Sequence, residues 1–175
     1  MNNLRYSLIF LFLLISLVGC GPDDAQRVEE ITVLEDQLYS KSDKFDKNKA
    51  NDLLVKYEEF IANHKEHEKA KGYLYSAAET ANSLMQFKKA INLYGTYSKR
   101  YAEDSRAASC VFIQGFIYEN HIGDLGMAER HYKMFLEKYP DHELAKDAKF
   151  SIDNLGKSVE ELLKQFEAKQ DSANT

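Results

Sequence analysis

The chain has 175 residues and a formal net charge of −5, with 28 acidic and 23 basic residues. Binding to nucleic acid requires a clustered basic surface, so this acidic balance argues against nucleic acid as a partner. The length is sufficient for one domain with its own hydrophobic core.

Residues 1–19 have the layout of a secretory signal. Arg5 precedes an uninterrupted apolar run over residues 8–15, and small residues follow before Cys20. A membrane-spanning helix needs roughly 20 apolar residues, and this run is shorter. We therefore expect a signal-peptide helix over residues 1–19. Its removal would change the net charge from −5 to −6, because Arg5 is its one charged residue.

The sequence Leu-Val-Gly-Cys at residues 17–20 resembles the lipobox of bacterial lipoproteins, in which the cysteine is lipidated and becomes the first mature residue. The resemblance implies acyl chains on Cys20, and two or three such chains hold a protein durably at a membrane. In some bacterial lipoproteins, an aspartate directly after the lipidated cysteine retains the protein in the inner membrane. Gly21 occupies that position here, so the resemblance implies an outer-membrane location. Residues 20–26 are predicted to be the lipidated start and a short linker. An uncleaved anchor or a plain signal is the alternative.

Cys110 is the second cysteine of the chain. With Cys20 lipidated, no disulfide within the chain is possible. Because Cys110 lies in the apolar segment RAASCVFIQGF, we predict a buried core residue and not a nucleophile.

Charged and apolar residues interleave at three- and four-residue spacing over residues 27–169, which is typical of amphipathic helices. Glycine and aspartate at 120–126 and 154–158 indicate turns. Ser158 and Glu161 fit a capping box that opens a last helix. We predict an all-α domain over residues 27–169, followed by a disordered tail over residues 170–175.

One helical face recurs with a period of 37 or 38 residues. Its copies are Leu53, Tyr57, Phe60 and His64; Ala90, Tyr94, Tyr97 and Tyr101; and Ala128, Tyr132, Phe135 and Tyr139. The helices that follow are also in register, with Ala70, Ala107 and Ala145, and then Tyr75, Phe112 and Phe150. A unit that cannot bury its apolar face alone must stack on its neighbours. We therefore predict a short solenoid of three to four helical hairpins.

This two-helix unit resembles the tetratricopeptide repeat (TPR), whose basic unit has about 34 residues. The resemblance implies that the residues matching the family pattern pack the repeats together. They are Gly115 and Tyr118 in a first helix, Ala90, Tyr94, Ala128 and Tyr132 in second helices, and Pro140 at a junction. Ala102 and Lys65 replace the proline in the other units, and the chain has no tryptophan. These are departures from the family pattern.

The longer unit is similar to envelope lipoproteins of this superfamily, such as the repeat lipoprotein of the outer-membrane β-barrel assembly machinery. The repeat domain of the Tol-Pal coordinator protein is similar too. The resemblance implies a lipid-anchored, non-enzymatic scaffold that binds a protein or peptide in the bacterial envelope. The alternative is a dedicated subunit of an outer-membrane assembly or Tol-Pal-like complex. Cofactors and small-molecule substrates are not expected.

The family's concave groove is lined by the first helix of each unit. Mapped onto this sequence, the groove candidates are Tyr75, Glu79, Asn82, Phe112, Phe116, Glu119 and Asn120. Exposed aromatic rings with carboxylates and amides would suit an extended or helical peptide. The alternative is that the aromatic rings pack against the neighbouring hairpin.

Histidines offer the other candidate chemistry. His64 and His67 could bind one metal ion together, but a third ligand is not evident nearby. Their spacing differs from that of the HExxH zinc motif, and their repeat positions place them at a helix junction. The remaining histidines, His121, His131 and His142, have no nucleophile at a recognisable spacing. We therefore expect neither a metal site nor a catalytic site. Pro140 is expected to end one helix and Asp141 to cap the next.

Overall fold

The computed structural model describes residues 24–39 and 45–173. These residues form eight α-helices and no strand, which confirms the predicted all-α class. We number the helices α1 (Asp24–Tyr39), α2 (Lys47–Asn63), α3 (Ala70–Ser83), α4 (Phe87–Arg100), α5 (Arg106–Ile117), α6 (Leu125–Lys138), α7 (Ala145–Asn154) and α8 (Val159–Ala173). The predicted signal peptide and Cys20 lie outside the described residues.

The chain divides into two compact units, residues 1–49 and 50–175. In the first unit, α1 buries Ile31 and Leu38. This helix begins at Asp24, inside the segment predicted to be a linker. Among the described residues, no helix combines the length and the apolar character that crossing a membrane requires.

The second unit is built from helices that pack on their neighbours in chain order, from α3 through α7. Within it α3–α4 and α5–α6 form two hairpins, α7 packs on α6, and α8 follows α7 in the chain. The second helix of each hairpin buries an alanine and two aromatic rings at the predicted spacing. These residues are Ala90, Tyr94 and Tyr97 in α4, and Ala128, Tyr132 and Phe135 in α6. The alanine lets the backbones approach, and the rings fill the adjacent space.

The junctions between hairpins repeat the same three backbone hydrogen bonds in the same order. Each junction first extends the preceding helix, then turns, and then starts the next helix at a buried alanine. The N–H groups of His64, His67 and Ala70 donate to the carbonyls of Phe60, His64 and His67 at 2.8, 3.1 and 2.9 Å. Those of Tyr101, Asp104 and Ala107 donate to Tyr97, Tyr101 and Asp104, each at 2.9 Å. Those of Tyr139, His142 and Ala145 donate to Phe135, Tyr139 and His142 at 2.8, 3.2 and 2.8 Å. The fold is therefore repeat-like.

The turns that follow α3, α5 and α7 differ from one another. The α3–α4 turn has Met85 with φ at 59°, while the other two turns place Gly123 and Gly156 at 77° and 78°. The α5–α6 turn is longer because a π-helical turn, Tyr118–Ile122, continues α5. Glycine adopts positive φ at no steric cost, whereas Met85 does so at a cost.

The start of α8 confirms the predicted capping box. The N–H of Ser158 donates to Glu161 Oε2 at 2.7 Å, and the N–H of Glu161 donates to Ser158 Oγ at 3.2 Å. The helix continues to Ala173, inside the segment predicted to be a disordered tail. A reciprocal cap at the N-terminus supports such a helix, because it satisfies two otherwise unpaired N–H groups.

The predicted cap at Asp141 is wrong. α7 begins at Ala145, with Leu144 at its N-cap position and no side-chain cap on it. Instead, His142 Nδ1 accepts a hydrogen bond from the N–H of Leu144 at 3.2 Å. The junction therefore needs more residues after Pro140 than a direct proline–aspartate boundary would provide.

Candidate functional site

The seven groove candidates lie on α3 and on α5 with its π-helical turn, which are the first helices of two hairpins. Their contacts divide them into side chains that hold a hairpin together and side chains that remain at the surface. Tyr75, Phe112 and Glu119 belong to the first group.

The Tyr75 ring packs inside its own hairpin. Its centroid lies 5.4 Å from that of Tyr97 and 6.3 Å from that of Tyr94, both in α4. The Arg106 guanidinium lies 4.8 Å from the Tyr75 ring centroid, and the Tyr75 hydroxyl hydrogen-bonds Glu79. Burial and the nearby Glu79 carboxylate raise the pKa of Tyr75 to about 12. Tyr75 thus has the packing role that the sequence left open as an alternative.

Phe112 and Glu119 both contact the second helix of their hairpin. The Phe112 ring centroid lies 5.4 Å from that of Tyr132 and 5.7 Å from that of Phe135. The Tyr132 hydroxyl donates to Glu119 Oε2 at 2.6 Å. Burial, followed by this hydrogen bond, raises the pKa of Tyr132. Glu119 therefore fixes the buried tyrosine and is less available to a ligand.

Gly115 lies under the same tyrosine. A Cβ placed on Gly115 would lie 2.9 Å from two carbons of the Tyr132 ring. Contacts that short are not tolerated between a Cβ and a packed ring, so the glycine is required for this approach of α5 and α6.

The other residues that were expected to pack the repeats lie at packing or junction positions. Ala90, Tyr94 and Ala128 are buried in the second helices. Tyr118 stacks on His131, with ring centroids 5.3 Å apart and planes at 29°. Burial and then the charge of Arg130 lower the pKa of His131. Pro140 is exposed in the junction before α7.

Three groove candidates remain at the surface, and we call Glu79, Phe116 and Asn120 the first-helix surface. Phe116 is 45% exposed, and its ring meets the His121 ring edge-on with centroids 5.9 Å apart. Glu79 and Phe116 occupy equivalent positions, 37 residues apart, and so lie on the same side of successive first helices. The Asn120 Nδ2 donates to the carbonyl of Phe116 at 3.0 Å. Asn82 is half-buried, and its Oδ1 accepts no hydrogen bond from the described residues.

A polar cluster that the sequence did not reveal surrounds Asp104 at the α4–α5 junction. Its Oδ1 accepts from the Tyr97 hydroxyl at 2.8 Å, from Arg106 Nε at 3.1 Å and from the Arg106 N–H at 3.0 Å. Its Oδ2 lies 2.9 Å from Lys71 Nζ. Hydrogen bonds from Arg106, Lys71 and Tyr97 hold the pKa of Asp104 well below its usual range. The signal available in the sequence was that Asp104 shares its register position with two histidines.

Those two histidines, His67 and His142, have the same local role as Asp104. His67 Nδ1 accepts from the N–H of Lys69 at 3.1 Å, matching the His142 contact with Leu144. Their rings meet Phe60 and Phe135 edge-on, with centroids 5.1 and 5.5 Å apart. The described residues include no group of three histidine, cysteine or acidic side chains arranged to hold a metal ion.

Cys110 is fully buried in α5. Burial raises the pKa of its thiol to about 12, so the thiol remains protonated at neutral pH. Since the thiolate is the reactive form, this residue acts as a small apolar core group.

The first-helix surface offers the Phe116 ring and the Asn120 amide, together with the Glu79 carboxylate, which the Tyr75 hydroxyl already hydrogen-bonds. Groups of this kind suit recognition of a peptide segment. No protein-family model matches this chain, and no curated protein matches it.

Proposed function

We propose that this protein is a lipid-anchored scaffold of the TPR type that binds a protein or peptide in the bacterial cell envelope. The observation that carries the proposal is the exposed ring of Phe116 on the first-helix surface. The Phe112 ring packs on Tyr132 and Phe135, whereas the Phe116 ring is 45% exposed and meets the His121 ring edge-on at 5.9 Å. Aromatic side chains are enriched in the cores of protein interfaces.

The TPR type is supported by the repeated junctions and by the buried alanine and aromatic pairs of α4 and α6. Gly115 beneath Tyr132 matches the family's small first-helix residue. The π-helical turn Tyr118–Ile122 lengthens its unit by one residue, since the spacing is 37 residues from Leu53 to Ala90 and 38 from Ala90 to Ala128.

The anchor is supported by the lipobox at residues 17–20 and by the signal-like segment that precedes it. An acidic chain has no electrostatic attraction to anionic lipids, so membrane attachment would depend on the acyl chains. Labelling cells with radioactive palmitate should mark the wild-type chain and leave a Cys20→Ala variant unlabelled. Equal labelling of the two chains would contradict the anchor.

The binding surface is tested by purification of the tagged chain from detergent-solubilised membranes. We expect a discrete protein to copurify with the wild type and to be lost from a Phe116→Ala/Asn120→Ala variant. Val55→Ala is the matched control, because Val55 is also about half exposed, at 50%, but lies on α2. Retention of the partner by the double variant, with its helical content intact, would place binding elsewhere. A stoichiometric β-barrel partner would identify a dedicated assembly subunit.

A further inference from the structure

Arg106 is the first residue of α5, and its side chain reaches back onto the preceding hairpin. Its guanidinium carbon lies 4.8 Å from the ring centroid of Tyr75 in α3 and 5.3 Å from that of Tyr97 in α4. Its Nε donates to Asp104 Oδ1 at 3.1 Å. Two aromatic rings and one carboxylate therefore restrain the guanidinium, while 39% of the side chain stays exposed.

The restrained guanidinium still has hydrogen-bond donors to offer. An arginine side chain carries five N–H donors in a fixed fork. Within the part of the chain that the structure describes, the Nε–H of Arg106 is the one with an acceptor. The Nη groups remain, and a planar fork of this kind pairs with a carboxylate through parallel hydrogen bonds. Because the rings already hold the fork in place, little side-chain freedom would be lost when it binds.

The charge around Arg106 favours an anion. Asp104 is shared by two cations, Arg106 and Lys71, so this cluster carries more positive than negative charge. Glu79 lies within range of the Arg106 charge, but it accepts the Tyr75 hydroxyl. Among the described residues, the one ion pair of Arg106 is with Asp104. A carboxylate from a partner would therefore meet a complementary charge at Arg106.

Arg106 also shares one face of α5 with the first-helix surface. Ser109 and Ile113 lie between Arg106 and Phe116 at steps of three, four and three residues. Asn120 follows four residues later on the same face. The ten residues from Arg106 to Phe116 span about 15 Å of helix, which about four or five residues of extended chain would cover.

We propose that the first-helix surface binds an extended segment in which an acidic side chain pairs with Arg106 and an apolar side chain packs on Phe116. The inference rests on the proposed function and adds the chemistry of the partner. Asn120 favours an extended segment over a helical one. Its Nδ2 donates to the Phe116 carbonyl, which leaves its Oδ1 to accept a backbone N–H. A helical segment would already have used most of its N–H groups internally.

The test begins with selection of short random peptides, displayed on phage, by the full-length chain held in lipid nanodiscs. Peptides that bind empty nanodiscs are removed first. We expect the recovered peptides to carry aspartate or glutamate about four or five residues from an apolar residue. General attraction cannot produce this enrichment, because the chain itself is acidic. Recovered peptides without it would overturn the proposal.

One recovered peptide and its acid-to-amide version are then titrated by fluorescence polarisation. The wild type should bind the amide version roughly tenfold more weakly, because a charged hydrogen-bonded pair is lost. Arg106→Gln should bind both versions equally. Arg106→Lys keeps the charge without the fork and should retain part of the difference. Arg130→Gln is the matched control, since Arg130 is exposed on α6, and it should discriminate as the wild type does.

Equal discrimination by the wild type and Arg106→Gln would overturn the pairing. Phe116→Ala distinguishes this result from failure of the proposed function, and it should weaken both versions of the peptide. Binding that depends on Phe116 but not on Arg106 would leave the proposed function standing without the acidic partner. Binding independent of Phe116, or recovery of no peptide, would reject the first-helix surface itself and the acidic partner with it.

Discussion

Hairpins α3–α4 and α5–α6 bury the same second-helix face but hold it with different groups. In the first, Tyr75 and Tyr97 surround the Arg106 guanidinium, and Asp104 accepts the Tyr97 hydroxyl. In the second, Phe112 is the ring that packs on α6. The repeat register therefore determines which positions are buried. The polar groups that contact the buried rings differ from one hairpin to the other. Two residues at equivalent positions can therefore differ in chemistry, so that one makes ionic contacts in its repeat and the other makes apolar contacts in the next.

The closest helix approach in the second of these hairpins gives the largest expected effect. Gly115→Ala places a methyl group 2.9 Å from the Tyr132 ring, and forcing an extra group into a packed core costs about 1–3 kcal/mol. We expect the free energy of unfolding, measured by urea denaturation, to fall by that amount. Gly72→Ala is the control, because nothing lies within 4 Å of its added Cβ. A neutral Gly115→Ala would show that Tyr132 can move without loss.

The polar cluster of the first hairpin gives the next effect. Asp104→Asn removes the negative charge that Lys71 and Arg106 contact. Hydrogen bonds to a charged group contribute about 1.5–3 kcal/mol each. Both cations are exposed, and solvent screening reduces this contribution. We expect a loss of about 1 kcal/mol at pH 7. Asp141→Asn, at the exposed position of the next junction, should have no measurable effect.

The same cluster predicts a pH dependence. The folded-state pKa of Asp104 is lowered, so its contribution is complete above the unfolded value of about 3.9 and is lost as pH falls below that value. Unfolding measured at pH 7 and again near pH 3 should show that wild type loses more stability than Asp104→Asn does. Equal acid sensitivity of the two proteins would assign the effect to other carboxylates.

The junction histidines give a smaller effect, at a junction without an ion cluster. His142→Ala removes the acceptor for the Leu144 N–H, and a neutral hydrogen bond of this kind contributes roughly 0.5–1 kcal/mol. His142→Asp should restore the acceptor, because Asp104 accepts from the equivalent N–H of Arg106. Thermal unfolding followed by circular dichroism separates the three proteins. An aspartate variant as unstable as the alanine variant would show that the ring contact with Phe135 matters more than this hydrogen bond.

Much of the repeat plan could be predicted from the sequence, because buried faces impose a period that survives substitution. The Ala90–Tyr94–Tyr97 face is one example. The capping box of α8 was predictable because both of its partners are local, at Ser158 and Glu161. Contacts between distant residues gave no such signal. Neither the Arg106 position between two tyrosine rings nor the Glu119 bond to Tyr132 follows from spacing.

The misassigned cap at Asp141 has a related cause. Local preference favours aspartate as a cap, but in the repeated junction the side chain that accepts a backbone N–H is that of His67, Asp104 or His142, two residues before the N–H it binds. The candidate groove shows the same limit. Spacing placed Phe112 and Phe116 on one helix, and only the packing of α6 showed that one ring is used and the other is exposed.

The hairpin turns give the smallest effect and the only expected gain. Met85 adopts φ 59°, while the α5–α6 turn has Gly123 at the corresponding point. A left-handed conformation costs a residue with a side chain roughly 1–2 kcal/mol, and a glycine at this position would avoid that cost. Part of the gain is offset, because glycine loses more conformational entropy on folding than methionine does. Met85→Gly should therefore raise the free energy of unfolding by about 0.5 kcal/mol. Gly123→Ala is the reciprocal change and should lower it, since nothing lies within 4 Å of the added Cβ and conformational strain is its only cost. If Met85→Gly is instead destabilising, the exposed methionine side chain contributes contacts to its hairpin that outweigh the strain.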